Sequence, residues 1–286
     1  MKLILAATDF SERSDCAVRR AGLLAREQGA HLLLLHVVDD DRTERLVAEE
    51  MATAQELLEK TAETVLSGVQ CEPKVVLGDP FEGIAKAARQ SAADLIVMGA
   101  HRKQILRDIF TGTSVERVMR LRIAPVLMVN AEPSRPYTRG LVATDLSEQS
   151  GHAFQVARRL GILPRTQVVV VHAFDVFARG KLSYAGVSAE QIASHAKQMA
   201  ADAREELAEF VAALSVDPQP PALRVKEGRA AGVIVEAANE VGADIVVLGT
   251  HGRTGIAKLL LGSVTEEIVS RSERDVLVVP PRPKEG

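Results

Sequence analysis

Leu5-Ala6-Ala7-Thr8-Asp9-Phe10-Ser11-Glu12 returns as Leu141-Val142-Ala143-Thr144-Asp145-Leu146-Ser147-Glu148, 136 positions later. Leu34-Leu35-His36-Val37 returns as Val170-Val171-His172-Ala173 at the same offset. Farther along the offset becomes 150, pairing Gly78 with Gly228, Asp94 with Asp244, Gly99 with Gly249 and Gly112 with Gly262. The second copy therefore carries 14 extra residues between His172 and Gly228. A period of this length marks a duplicated domain and not a solenoid, whose repeats are far shorter.

Inside each copy the apolar runs are short, β-branched and uninterrupted, as in strands buried on both faces. They are Leu3–Ala7, Leu32–Val38, Lys74–Leu77, Leu95–Met98 and Val126–Val129, then Gly140–Ala143, Val168–Ala173, Leu223–Lys226, Ile245–Leu248 and Val276–Val279. Helical segments such as Ser11–Gln28, Glu44–Leu66 and Phe81–Ser91 lie between them. Alternation of strand and helix implies right-handed crossovers and a parallel, doubly wound sheet. The fold class expected is α/β: two similar domains, each with five strands, four helices and helices on both faces. Residues 1–131 form the first domain, 132–137 a linker, and 138–286 the second. Pro133 and Pro136 stop the last strand of copy one.

Composition excludes several function classes. Of 286 residues, 35 are Lys or Arg and 38 are Asp or Glu, a net charge of -3. The two copies are alike, with 18 basic and 20 acidic residues before residue 136 and 17 and 18 from there on. Neither is a basic module, so no nucleic-acid partner is expected. Aromatic residues make up only 3%, without Trp, which leaves no stacking platform for single strands. Two cysteines, Cys16 and Cys71, build neither a disulfide framework nor a Cys-rich zinc module. No apolar stretch approaches the roughly 18–20 residues that cross a bilayer, and Asp9 interrupts the short apolar start. The expectation is a cytoplasmic protein with no membrane partner.

One stretch carries chemistry. After the fourth strand of copy two come Gly249-Thr250-His251-Gly252-Arg253-Thr254-Gly255, six further residues, and Gly262-Ser263-Val264-Thr265. Ser263 precedes Glu266 by three positions, the spacing of a capping box, so a helix is expected to begin there. Free N–H groups at a helix start favour an anion. Gly249 and Gly252 let the backbone come close to a ligand. The loop also follows the carboxyl end of a strand, where open α/β sheets bind ligands. A phosphate-bearing ligand is the expectation.

The spacing Gly, two residues, Gly, nine residues, Gly-Ser/Thr resembles the nucleotide-binding signature of the universal stress protein family. Gly249, Gly252, Gly262 and Ser263 fit it fully, and Thr-Asp after strand one and Val-His-Ala closing strand two fit as well. The resemblance covers nearly the whole chain twice, as in tandem members of that family, some of which keep the fold and bind no ATP. It implies strand order 3-2-1-4-5, and dimers formed around strand five; in a tandem chain the two copies would pair internally, with a homodimer as a further state. It implies ATP as ligand, with Mg²⁺ shared among phosphate oxygens, since Mg²⁺ keeps substrate and water ligands. Asp145 would contact the adenosine, the backbone near Ala173 would read the adenine edge, and Gly249 would lie against the ribose. Thr250 and His251 lie in the same loop. Gly252, Arg253, Gly262, Ser263, Val264 and Thr265 would hold the phosphates through N–H groups and hydroxyls. The family role implied is nucleotide-responsive regulation of stress survival through a protein partner.

Copy one departs from this pattern. It reads Gly99-Ala100-His101-Arg102, nine residues, then Gly112-Thr113-Ser114. Arg102 stands where the second glycine is required, removing the backbone freedom of the turn. An Arg fork can itself hold phosphate, so an altered site is the alternative to a degenerate one. Its candidate residues are Asp9, Val37, Gly99, Arg102, Gly112, Thr113 and Ser114.

Other residues carry competing structural roles. Asp9 and Asp145 stand two residues before Ser11 and Ser147 at helix starts, so helix capping competes with ligand contact. His36 and His172 end buried strands and read as packing or backbone-positioning residues. His195 has no companion at metal-ligand spacing, and no metal site is expected. Phe174, Phe177 and Tyr184 in the insertion suit a self-pinned loop, or a flap over a ligand. No catalytic residues are assigned: the chain has no nucleophile elbow, no Walker A pattern and no dinucleotide fingerprint after strand one. Any ATP hydrolysis is expected to be slow. The alternative functions are a nucleotide-independent interaction scaffold and a slow ATPase whose turnover matters.

Overall fold

The computed structural model describes residues 1–41, 43–100, 113–164, 167–174, 188–214, 220–250 and 261–282. Repeat one runs β1 (Leu3–Ala7), α1 (Glu12–Gln28), β2 (His31–Val38), α2 (Glu44–Thr64), β3 (Cys71–Leu77), α3 (Pro80–Gln90), β4 (Leu95–Gly99), α4 (Ser114–Arg120) and β5 (Val126–Val129). Repeat two follows with β6 (Gly140–Thr144), α5 (Glu148–Arg159), β7 (Val168–Phe174), α6 (Ala189–Ala213), β8 (Ala222–Glu227), α7 (Ala230–Val241), β9 (Ile245–Gly249), α8 (Ser263–Arg271) and β10 (Asp275–Val279). The third strand of repeat one begins at Cys71, three residues before the apolar run, because pairing with β2 extends through Glu72 and Pro73. Val171 and its neighbours in β7 end at Phe174, and α6 begins only at Ala189, so most of the extra length of repeat two falls there. Of the insertion's aromatic residues, Phe177 and Tyr184 lie outside the described residues.

All ten strands belong to one sheet, in the order β3-β2-β1-β4-β5-β10-β9-β6-β7-β8. Each half has the order 3-2-1-4-5 with parallel neighbours. The halves meet at β5 and β10, the only antiparallel pair among the described strands, with Leu127 opposite Leu277. The two five-stranded sheets are thus not separate layers but one continuous surface.

Burial on both faces explains the uninterrupted apolar runs. In β1, Ile4 and Ala6 enter one core with α1 and α2, while Leu5 and Ala7 enter the other with α3 and α4. Residues of α5 and α6 join the first core and those of α7 and α8 the second, so each core runs across both repeats. Helix ends are closed as the sequence suggests: Ser11 and Ser147 accept the N–H groups of Ser14 and Ser150.

The linker is tied down by one buried carboxylate. Asp275, 0% exposed, accepts the N–H groups of Asn130 and Ala131 at 2.8 and 3.0 Å and the Tyr137 hydroxyl at 2.5 Å. Arg20 from α1 lies against it, Nε to Oδ2 3.3 Å, with its guanidinium over the Tyr137 ring at 4.0 Å and a hydrogen bond to the Arg135 carbonyl. No helix among the described residues is long and apolar enough to cross a membrane.

Candidate functional site

The carboxyl ends of the central strands carry the same small apparatus twice. After β1, Phe10 takes a positive φ of 60°, and after β6 Leu146 takes 65°. The Thr8 and Thr144 hydroxyls hold these turns by accepting the Phe10 and Leu146 N–H groups. Asp9 Oδ1 accepts the Ser11 N–H at 3.1 Å and its hydroxyl at 2.6 Å; Asp145 Oδ1 does the same with Ser147 at 3.1 and 2.5 Å. One carboxylate oxygen therefore braces the helix cap in both repeats. Partial desolvation raises the Asp9 carboxyl, but hydrogen bonds from Ser11 and Ser14 outweigh it and leave the pKa below its ordinary value. His36 Nδ1 meets the Thr8 carbonyl at 2.8 Å and His172 Nδ1 the Thr144 carbonyl at 2.9 Å. A carbonyl only accepts, so Nδ1 carries the proton and each histidine positions the backbone.

In repeat one Asp9, Val37, Gly99 and Ser114 line a common cavity of about 220 Å³, with Arg13 and His36. That is below the ~300–1,000 Å³ of an ordinary ligand cleft. The sequence reading missed Arg13, whose guanidinium donates to the Ala100 carbonyl at 3.4 Å; no spacing signal marks it. Gly99 has a structural reason to be glycine, because a Cβ there would stand 2.5 Å from the Arg13 carbonyl oxygen. Arg102 and Gly112 lie outside the described residues.

In repeat two the ends of the glycine loop are described and its middle is not. Gly262 N–H donates to the Thr250 carbonyl at 2.8 Å, bringing the two ends together at the start of α8. Thr250 N–H in turn donates to Val279 in β10. The Thr250 hydroxyl is buried without a partner among the described residues, in a residue 2% exposed. His251, Gly252 and Arg253 lie outside the described residues. Ala173 sits in β7 opposite Lys226 of β8, at the place Val37 holds in repeat one.

One expectation at α8 needs correction. Ser263 does not cap the helix: Gly262 is the N-cap, Ser263 is the first helical residue, and no side chain closes the end. Helix α8 thus starts one residue earlier in the repeat than α4, which leaves Glu266 four residues past the cap, and its carboxylate meets Arg120 of α4 at 3.2 Å. The Thr265 hydroxyl, expected at the phosphates, donates to the Gly249 carbonyl at 2.8 Å and is buried, pinning α8 to the end of β9. In repeat one the box does form: the Glu116 carboxylate accepts the Thr113 N–H and the Thr113 hydroxyl accepts the Glu116 N–H. The start of α4 is closed by the chain's own carboxylate, whereas at α8 the exposed Ser263 hydroxyl has no partner among the described residues.

A family model described as the universal stress protein family matches residues 1–130 and again 136–280. The chain belongs to the universal stress protein family. A universal stress protein of Mycolicibacterium smegmatis is 27% identical over 299 residues, covering 98% of this chain and 97% of the relative. One from Methanocaldococcus jannaschii is 28% identical over 159 residues, 46% of this chain and 97% of its own length. A solved universal stress protein from Archaeoglobus fulgidus covers 97% of this chain and 98% of its own, with a TM-score of 0.70 at 20% identity, a likeness of fold. The double match accords with one α/β unit of the family per repeat. Among the described residues, no three His, Cys, Asp or Glu side chains are grouped as a metal site.

Proposed function

We propose that this universal stress protein binds an adenine nucleotide in repeat two, and that occupancy regulates its contacts with a protein partner under stress. The observation that carries the reading is the difference between the two helix starts. At α4 the Thr113–Glu116 box already occupies two of the N–H groups at the helix start, those of Thr113 and Glu116, and sets a carboxylate beside an incoming anion. At α8 no side-chain cap is present, the Ser263 hydroxyl is exposed, and the Gly262–Thr250 hydrogen bond joins the residues on either side of the glycine stretch at that helix start. These groups suit phosphate oxygens, and Gly252 and Arg253 complete the signature spacing. Asp145 and the Ala173 backbone would face the nucleoside, on the strength of the family resemblance. ATP is the reference ligand, with Mg²⁺ held by its phosphates and water rather than by a protein cage. Hydrolysis is slow under this reading, and the protein works in the cytoplasm as a switch and not as an enzyme.

Repeat one, residues 1–131, is read as a scaffold. Its glycine Gly99 answers to the packing of α1, and its helix start is capped. The test is calorimetric titration of the full chain with ATP and Mg²⁺. One site per chain, lost on Gly252→Arg and kept on Arg102→Ala, supports the reading. Binding unchanged by Gly252→Arg contradicts it.

A further inference from the structure

Arg120 sits in the last turn of α4, in repeat one, yet its guanidinium reaches Glu266 on α8 of repeat two, 3.2 Å to Oε1. The 150-residue offset makes Ser270 the counterpart of Arg120 and Glu116 the counterpart of Glu266. That second pairing has no cation in it. The Ser270 hydroxyl donates to the Glu267 carbonyl of its own helix, and Glu116 turns back to close the start of α4. One carboxylate, at one position of the repeat, has two fates, and a single cross-seam arginine separates them.

We propose that Arg120 is a positioning residue for the phosphate-binding end of repeat two: by holding Glu266 across the seam it keeps that carboxylate away from the start of α8. The inference rests on the reading of repeat two as the nucleotide site. A capping carboxylate and a phosphate compete for the same N–H groups, and they repel each other at one helix end. Glu266 is three residues past Ser263, the spacing by which Glu116 reaches Thr113, so without Arg120 it can draw α8 into the form of α4, with Ser263 in place of Gly262 as the cap. The buried hydroxyl of Thr250 marks the same end as prepared for a ligand. It has no partner among the described residues, in a residue whose carbonyl accepts the Gly262 N–H. The two repeats are therefore coupled: a side chain of the scaffold repeat decides whether the other repeat's anion end stays open.

The experiment is titration of the full chain with ATP and Mg²⁺, and separately with adenosine, in four forms: wild type, Arg120→Lys, Arg120→Ser and Arg120→Ser/Glu266→Ala. Arg120→Ser is expected to weaken ATP about fivefold, what displacing an ordinary helix cap costs. Adenosine, which has no phosphate, is expected to bind all four forms alike. Arg120→Lys is expected to stay within about twofold of wild type, since the charge is kept, and the double variant to recover wild-type affinity. Equal ATP affinity for wild type and Arg120→Ser overturns the inference while leaving the nucleotide site standing. A double variant as weak as Arg120→Ser overturns it as well, by making the loss structural. A wild-type protein that takes no ATP overturns both the inference and the reading beneath it.

Discussion

Leu127 and Leu277, the same position of the two repeats, stand opposite each other in the antiparallel β5–β10 pair. Val126 faces Val278 and Met128 faces Val276, so every pairing is matched by its mirror partner under the 150-residue offset. This is the isologous geometry of a two-fold dimer, built inside one chain. Differences between the halves then come from substitutions at equivalent positions. Asp275 stands where repeat one has Pro125, Arg20 where repeat two has Val156, and Arg120 where repeat two has Ser270. Asp79 and Arg117 of repeat one become Arg229 and Glu267 in repeat two, the same contact with the charges exchanged.

The Asp275 cluster is expected to hold the linker and the seam together. Asp275→Ala leaves the Arg20 guanidinium without its counter-charge and the Tyr137 hydroxyl without its acceptor, both in buried surroundings. Breaking a buried pair in this way costs about 3 kcal/mol. Urea unfolding of the variant beside wild type measures it; a loss under about 1 kcal/mol would show that the contacts are dispensable.

Tyr137 makes that stability depend on pH in one direction. Burial first, and the Asp275 carboxylate next, push its phenol well above the ordinary value. The native state therefore keeps a proton that the unfolded chain loses near pH 10. The contribution is complete below about pH 10 and is lost as pH rises through the folded-state pKa. Unfolding free energy measured from pH 8 to 11 should fall more steeply in wild type than in Tyr137→Phe. Parallel slopes would mean that Tyr137 does not titrate differently on folding.

Gly99→Ala separates packing from ligand contact. The added Cβ meets backbone, the Arg13 carbonyl oxygen at 2.5 Å, which a rotamer change does not relieve. A loss of about 2 kcal/mol is expected in denaturant unfolding, typical of overpacking, with nucleotide stoichiometry unchanged. A stable variant with altered nucleotide binding would put a ligand and not α1 against Gly99.

Much of the fold was legible because the strands are buried on both faces and the chain says everything twice. Leu3–Ala7 and Val126–Val129 read as strands from their apolar runs alone, and the duplication fixed their neighbours. Asp9 and Asp145 were legible only as a choice between cap and ligand, and one oxygen of each proves to brace Ser11 or Ser147. The state of the two helix starts was not legible. Thr113…Glu116 and Ser263…Glu266 have identical spacing, yet Thr113 caps α4 while Gly262 caps α8, where Glu266 meets Arg120, 146 positions away. The contact of the Thr265 hydroxyl was not legible for a similar reason, since its acceptor, the Gly249 carbonyl, lies at the far end of the loop. Sequence spacing reports which side chains are able to meet and not which competing partner wins.

Ser263→Ala removes the exposed hydroxyl at the start of α8 while leaving the backbone N–H groups in place. ATP affinity should fall about tenfold, as expected for one hydrogen bond to a charged group. Calorimetric titration beside Thr113→Ala, which touches only the capped helix, provides the comparison. A larger effect from Thr113→Ala would move the site to repeat one.

The most direct measurement is of what the protein carries. The full chain is purified without added nucleotide and denatured, and the released small molecules are identified and quantified by mass spectrometry. One adenine nucleotide per chain, absent from Gly252→Arg, is the result expected of one open site in repeat two. Two per chain would contradict the closed helix start of repeat one, and an empty protein that also refuses added ATP with Mg²⁺ would contradict the nucleotide reading itself.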